Sequence, residues 1–261
     1  MTESILSMAK KPESKPIICT ITGDAGTGKT SLAATFPNPV FIRAEDGMQS
    51  IPADQMPDAL PVIEKSSDLW QQLKALVNEE HTYKTVVIDS TTKLESLFIK
   101  EVVESETGNA NTINTVLGGY GAGREAVSAM HLRVRKAASM LQENGINVVF
   151  IAHADTETIE PPDDDAYTRY SLRLHKRSIS PYVDDVDLVG FIKLESFVMG
   201  EKGEKKKVKS DGTRVMTCHA CAANVSKNRY GIENDLVVER GVNPLTDYIP
   251  SLKPVNQAEG E

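Results

Sequence analysis

Residues 23–30 read Gly-Asp-Ala-Gly-Thr-Gly-Lys-Thr, a complete match to G-x-x-x-x-G-K-[ST]. This segment constrains the fold because its chemistry needs a strand before it and a helix after it. Ile17, Ile18, Cys19, Thr20 and Ile21 form a short stretch of strand type upstream. Downstream, Ser31, Leu32, Ala33, Ala34, Thr35 and Phe36 read as a helix stopped by Pro37. Between them the loop can curl so that backbone N–H groups from Gly23, Asp24, Ala25, Gly26, Thr27, Gly28 and Ser31 turn toward phosphate oxygens. The helix that follows adds its positive end. Lys29 is then expected to reach the β- and γ-phosphates, and the Thr30 hydroxyl to ligate Mg²⁺. A nucleoside triphosphate, read as ATP with Mg²⁺, is the expected ligand.

A chain of 261 residues can bury a substantial core and lies near the upper limit for one domain. With 40% hydrophobic and 25% charged residues it has the composition of a soluble globular protein. No apolar run is long enough to span a bilayer, and residues 1–15 lack the apolar centre of a signal peptide. The expectation is a cytoplasmic protein with no membrane partner. Three cysteines, an odd number, argue against a disulfide framework. A net charge of −8 means that any contact with nucleic acid must come from local basic patches.

Residues 1–15 read as a disordered lead-in, 16–249 as one domain, and 250–261 as a flexible acidic tail. Strand and helix patterns alternate between them, which predicts an α/β fold with a mainly parallel sheet flanked by helices. Strands are expected at 39–44, 85–89 and 147–153, and helices at about 67–78 and 123–143. Farther on, 189–198, 214–221 and 222–225 read as strands of an antiparallel C-terminal extension. The basic run 202–209 reads as a solvated hairpin tip.

Val86, Val87 and Ile88 make an apolar strand that ends in Asp89. An acid there is expected to hold Mg²⁺ beside the phosphate loop. Glu45 ends the strand that follows the phosphate-loop helix, where a carboxylate can orient and polarise an attacking water. The alternative is a solvated Glu45-Asp46 turn before Gly47.

The segment Phe41-Ile42-Arg43-Ala44-Glu45-Asp46 resembles the part of RecA-type ATPases in which a glutamate follows the second core strand. The resemblance implies that Glu45 activates the water. It also implies a γ-phosphate sensor at the end of the fourth strand, where this sequence has His153 rather than the usual glutamine. Lys227-Asn228-Arg229-Tyr230-Gly231 is similar to the K-x-R-x-G segment of hexameric helicases with the RecA fold. By that likeness Lys227 and Arg229 act in trans on a neighbour's γ-phosphate, so hydrolysis requires a ring or filament. Alternate residues of an extended strand point the same way, which suits a shared phosphate; a solvated basic strand end is the alternative.

The likeness covers about residues 17–232 and most resembles the phage-encoded RecA-like ATPases of recombination and single-strand annealing. It implies single-stranded DNA as a partner, admits a single-strand-binding protein beside it, and places the work in a host cytoplasm. DNA-binding loops are then expected at 108–123, with Tyr120 and Arg124, and at 154–183, with Arg169, Arg173, Lys176 and Arg177. A charged surface helix or an oligomer contact would use the same residues. A zinc reading of Cys218-His219-Ala220-Cys221 is set aside, since no second C-x-x-C occurs. The rival to the DNA reading is a nucleotide-dependent assembly or regulatory ATPase, which the acidic balance suits.

Overall fold

The computed structural model describes residues 8–11, 13–106, 112–195, 197–199, 207–209 and 212–253. The strand β1 (Ile18–Gly23) runs through the phosphate loop into the short helix α1 (Lys29–Ala33). Next come β2 (Pro39–Arg43), the two-residue β3 (Asp58–Ala59), α2 (Ser66–Asn78) and β4 (Thr85–Asp89). Helices α3 (Thr91–Glu104) and α4 (Ala122–Glu143) precede β5 (Asn147–Ile159), which returns as β6 (Tyr167–Leu172). The short α5 (Ser180–Val183) leads to β7 (Leu188–Leu194). A ribbon of β8 (Phe197–Met199) and β9 (Lys207–Lys209) follows, then β10 (Arg214–Thr217), β11 (Lys227–Asn228) and β12 (Leu236–Val237).

The main sheet has the order β12-β10-β7-β1-β5-β4-β2-β3. Neighbours from β7 through to β3 are parallel, while β10 and β12 add in antiparallel sense. Every residue of β1 and β4 is buried, as expected for strands covered on both faces. Side chains alternate between two cores. Ile18, Val86, Val148 and Phe150 face α2, α3 and α4, whereas Cys19, Ile21, Val87 and Val149 face α1 and the C-terminal segments.

Several expectations change in detail. β7 is a parallel partner of β1, so the antiparallel extension begins one strand later, at β10. Residues 222–225 form no strand of the sheet; Asn224 makes only an isolated bridge to Tyr170. The stretch from residue 154 is not an irregular loop, because β5 continues to Ile159 and pairs with β6 in a hairpin. Polar residues dominate that half of β5, and most of its positions are exposed or half-buried because the hairpin extends beyond the core. Leu252 packs in the second core, so the folded unit extends past residue 250. The tip of the 202–209 run and residues 107–111 lie outside the described residues. Helix α3 was missed by sequence reasoning, although Ser90 caps it through the Lys93 N–H and Leu94, Phe98 and Val102 repeat at helical spacing.

Candidate active site

Parallel strands bring their carboxyl ends to one edge, and the site is built there. Gly23 is required by close approach. A Cβ at that position would stand 2.3 Å from the Ile192 carbonyl oxygen, so a side chain would push β1 off β7 just where the loop begins. From that point the loop folds over Lys29. The ammonium donates to the carbonyls of Gly23 (2.9 Å) and Asp24 (2.7 Å). Burial pushes the Lys29 pKa down, opposed by Asp89, Asp24 and Glu45.

The Thr30 hydroxyl donates to the Asp89 carboxylate at 2.8 Å. Asp89 is buried at the end of β4, and that desolvation raises its pKa against the lowering effects of the Thr30 bond and Lys29. Glu45 and His153 arrive from the ends of β2 and the buried half of β5. The His153 Nε2 lies 3.2 Å from the Glu45 carboxylate. This contact holds the Glu45 carboxyl below the usual carboxylate range, with help from Ser90 and against partial burial. Glu45 therefore carries its charge at neutral pH while remaining about one-third exposed. A carboxylate held ionised and oriented by an imidazole at a cleft wall can accept a proton from water.

These groups line one cleft of about 520 Å³, a size suited to a nucleotide. Among the predicted site residues, Ala25, Gly26, Gly28, Lys29, Thr30, Ser31, Glu45, Asp89 and His153 all line it. Sequence reasoning missed the opposite wall, formed by Arg214 and residues 238–241. Their local sequence carries no motif; they meet the loop only through the pairing of β10 and β12.

Lys227 and Arg229 lie elsewhere. β11 pairs with the first residues of β7, whereas Gly23 aligns with Ile192 near the other end. Lys227 donates to the Asp184 carbonyl at 2.7 Å, and Arg229 bonds the Asp187 carboxylate at 2.9 Å. Both therefore face one short segment, at the opposite edge of the sheet from their own phosphate loop.

The expected DNA-binding residues gather in part. Arg177 donates to the Gly121 carbonyl at 3.3 Å and pairs with Glu125 at 2.9 Å, and its own carbonyl accepts from Ser128. This brings the 118–124 turn beside the segment after β6. Tyr120 is fully exposed at the tip of that turn, and Arg173, Lys176 and Arg177 are exposed nearby in sequence. Arg124 is half-buried and acts on His175, whose pKa burial lowers first. Arg169 is held across the hairpin by Glu157 at 2.8 Å. Arg173 connects the two regions, because its N–H donates to the His153 carbonyl at 2.8 Å.

No helix among the described residues is long and apolar enough to cross a membrane. A comparison with curated proteins returned no match. Among solved structures, a KaiC-like protein from the hyperthermophilic archaeon Pyrococcus horikoshii is similar at 15% identity, over 86% of each chain, with a TM-score of 0.45. The profile of the AAA domain family matches residues 15–230, which include the phosphate loop, Glu45, Asp89 and His153. With that match over most of its length, and a phosphate loop set on a mainly parallel sheet, the chain belongs to the AAA domain family and is a P-loop ATPase.

Proposed function

We propose that this ATPase couples hydrolysis of ATP to the binding of single-stranded DNA, working as a ring or filament in recombination or annealing. The observation that carries the reading is the backbone bond between His153 and Arg173. The residue beside Glu45 is thereby tied directly to the start of an exposed basic segment.

In the cleft, the loop amides and Lys29 hold the phosphates, and Glu45 takes a proton from the attacking water. His153 orients Glu45 and keeps it ionised. Thr30 and Asp89 fit Mg²⁺: two oxygens meet at 2.8 Å, and the carboxylate is kept from water, a setting that favours a hard cation. Magnesium there would neutralise charge on the phosphates. Lys227 and Arg229 would complete the site of an adjacent subunit, exchanging their contacts at residues 184–187 for its γ-phosphate.

On the basic face, Arg173, Lys176 and Arg177 take backbone phosphates while Tyr120 stacks on a base. A second reading, an assembly ATPase without DNA, draws on the ion pairs that already occupy Arg169 and Arg177. Fluorescence anisotropy with a labelled single strand separates the two. In the presence of ATP or a slowly hydrolysed analogue, the wild type should bind with an affinity that falls as salt rises. The triple variant Arg173→Ala/Lys176→Ala/Arg177→Ala should reduce the log–log salt slope by about 2. Absence of binding by the wild type at low salt would favour the assembly reading.

A further inference from the structure

The cleft has two walls of different chemistry, one carboxylate-bearing and one built around Arg214 and residues 238–241. Glu45, Asp89 and His153 come from β2, β4 and β5, all on one side of β1 in the sheet. On the other side stand β7, β10 and β12. Because β10 is antiparallel, its first residue, Arg214, reaches the same edge as the phosphate loop. β12 runs opposite to β10 and delivers residues 238–241 to that edge as well. The Val238 N–H donates to the Arg214 carbonyl at 2.8 Å and ties the two together.

Arg214 lies directly against the phosphate loop. A Cβ on Gly28 would fall 3.4 Å from both its Cδ and its Nε, and Gly28 adopts a left-handed φ of +92°. A side chain at position 28 would be strained and would crowd the guanidinium. The Arg214 Nε is shut off from water and has no hydrogen-bond partner among the described residues. The half-buried guanidinium stands beside the phosphate loop and Lys29 and lines the same cleft, with its Nε–H unmatched by the described residues of its own chain. Its planar face, turned to the cleft, can also take an electron-rich, flat ligand laid against it. Apolar surface lies close at hand, since buried Val238 and Leu32 also line the cleft.

With the γ-phosphate directed to Glu45, the nucleoside end must point toward this second wall. We infer that Arg214, backed by Val238 and the 239–241 turn, forms the nucleoside subsite, with the base packed on the guanidinium plane. Arg214 is thus a specificity-determining residue for nucleotide, separate from the phosphate-binding groups. The inference rests on the cleft being the nucleotide site and is independent of the DNA reading.

Competition binding with magnesium ATP and with magnesium tripolyphosphate, which lacks the nucleoside, tests it. Arg214→Ala should weaken ATP binding about tenfold and leave tripolyphosphate unchanged. Arg214→Met keeps the alkyl stem against Gly28 and should behave the same way, so it carries the test if the alanine variant does not fold. Equal weakening of both ligands would make Arg214 a phosphate group, and no change in either would remove it from the site; each result overturns the inference. Lys29→Ala should weaken both ligands. If it weakens neither, the cleft is not the nucleotide site, and the subsite falls with it.

Discussion

Glu45→Gln should lower the rate of ATP hydrolysis by about 100-fold or more while leaving ATP affinity nearly unchanged. The side chain keeps its size and can still meet His153, so the cleft wall keeps its shape. What disappears is the ionised oxygen proposed to accept the proton from water. Phosphate release at saturating ATP measures the first quantity, and titration with a fluorescent ATP analogue the second. Lys29→Ala provides the contrast, since removing the ammonium should reduce binding itself. If turnover by Glu45→Gln equals that of the wild type, Glu45 is only the solvated turn its neighbours Asp46 and Gly47 would suggest.

A second large effect belongs to the core rather than the site. His131, on α4, is fully buried, and its Nδ1 lies 2.7 Å from the Tyr182 hydroxyl. The Phe98 and His131 rings meet in a T-shaped contact with centroids 5.0 Å apart. Burial lowers its pKa from 6.5 to about 3. An unfolded chain would bind a proton at His131 well before the folded one does. The stabilisation is therefore complete above about pH 6.5 and is lost as pH falls toward 3. At about 1.4 kcal/mol per pH unit, the loss from this one residue approaches ~4 kcal/mol by pH 3. Urea unfolding across this range should show the slope, superimposed on that of the carboxylates. His131→Gln, which can still hydrogen-bond Tyr182, should remove most of it between pH 6.5 and 4. An unchanged slope would show that the imidazole is protonated in the folded chain or reached by water.

The phosphate loop and β4 were legible in the sequence because each is a local pattern. Apolar runs of strand length end in a glycine or an acid, and the fold places those ends where the patterns imply. Glu45 and His153 were legible for the same reason, as residues at strand ends on the ligand edge. Their 3.2 Å contact was not legible, since it depends on the spacing of β2 and β5 across β4. Arg214 and residues 238–241 were invisible because their place at the cleft comes from antiparallel pairing after a change of direction. The outer half of β5 was hidden for a different reason. A hairpin extending past the core has no face to bury, so its sequence carries no strong alternation of apolar and polar residues.

If the proposed function holds, the tie from His153 to Arg173 should make DNA and ATP report on each other. The most direct test is the rate of ATP hydrolysis by the wild-type chain with and without single-stranded DNA, at low and moderate salt. Expected is stimulation by DNA that fades as salt rises, because the phosphate contacts that deliver it are screened. A rate indifferent to DNA at both salt concentrations, with no strand retained in ATP or a slowly hydrolysed analogue, would contradict the coupling and leave an ATPase that acts without DNA.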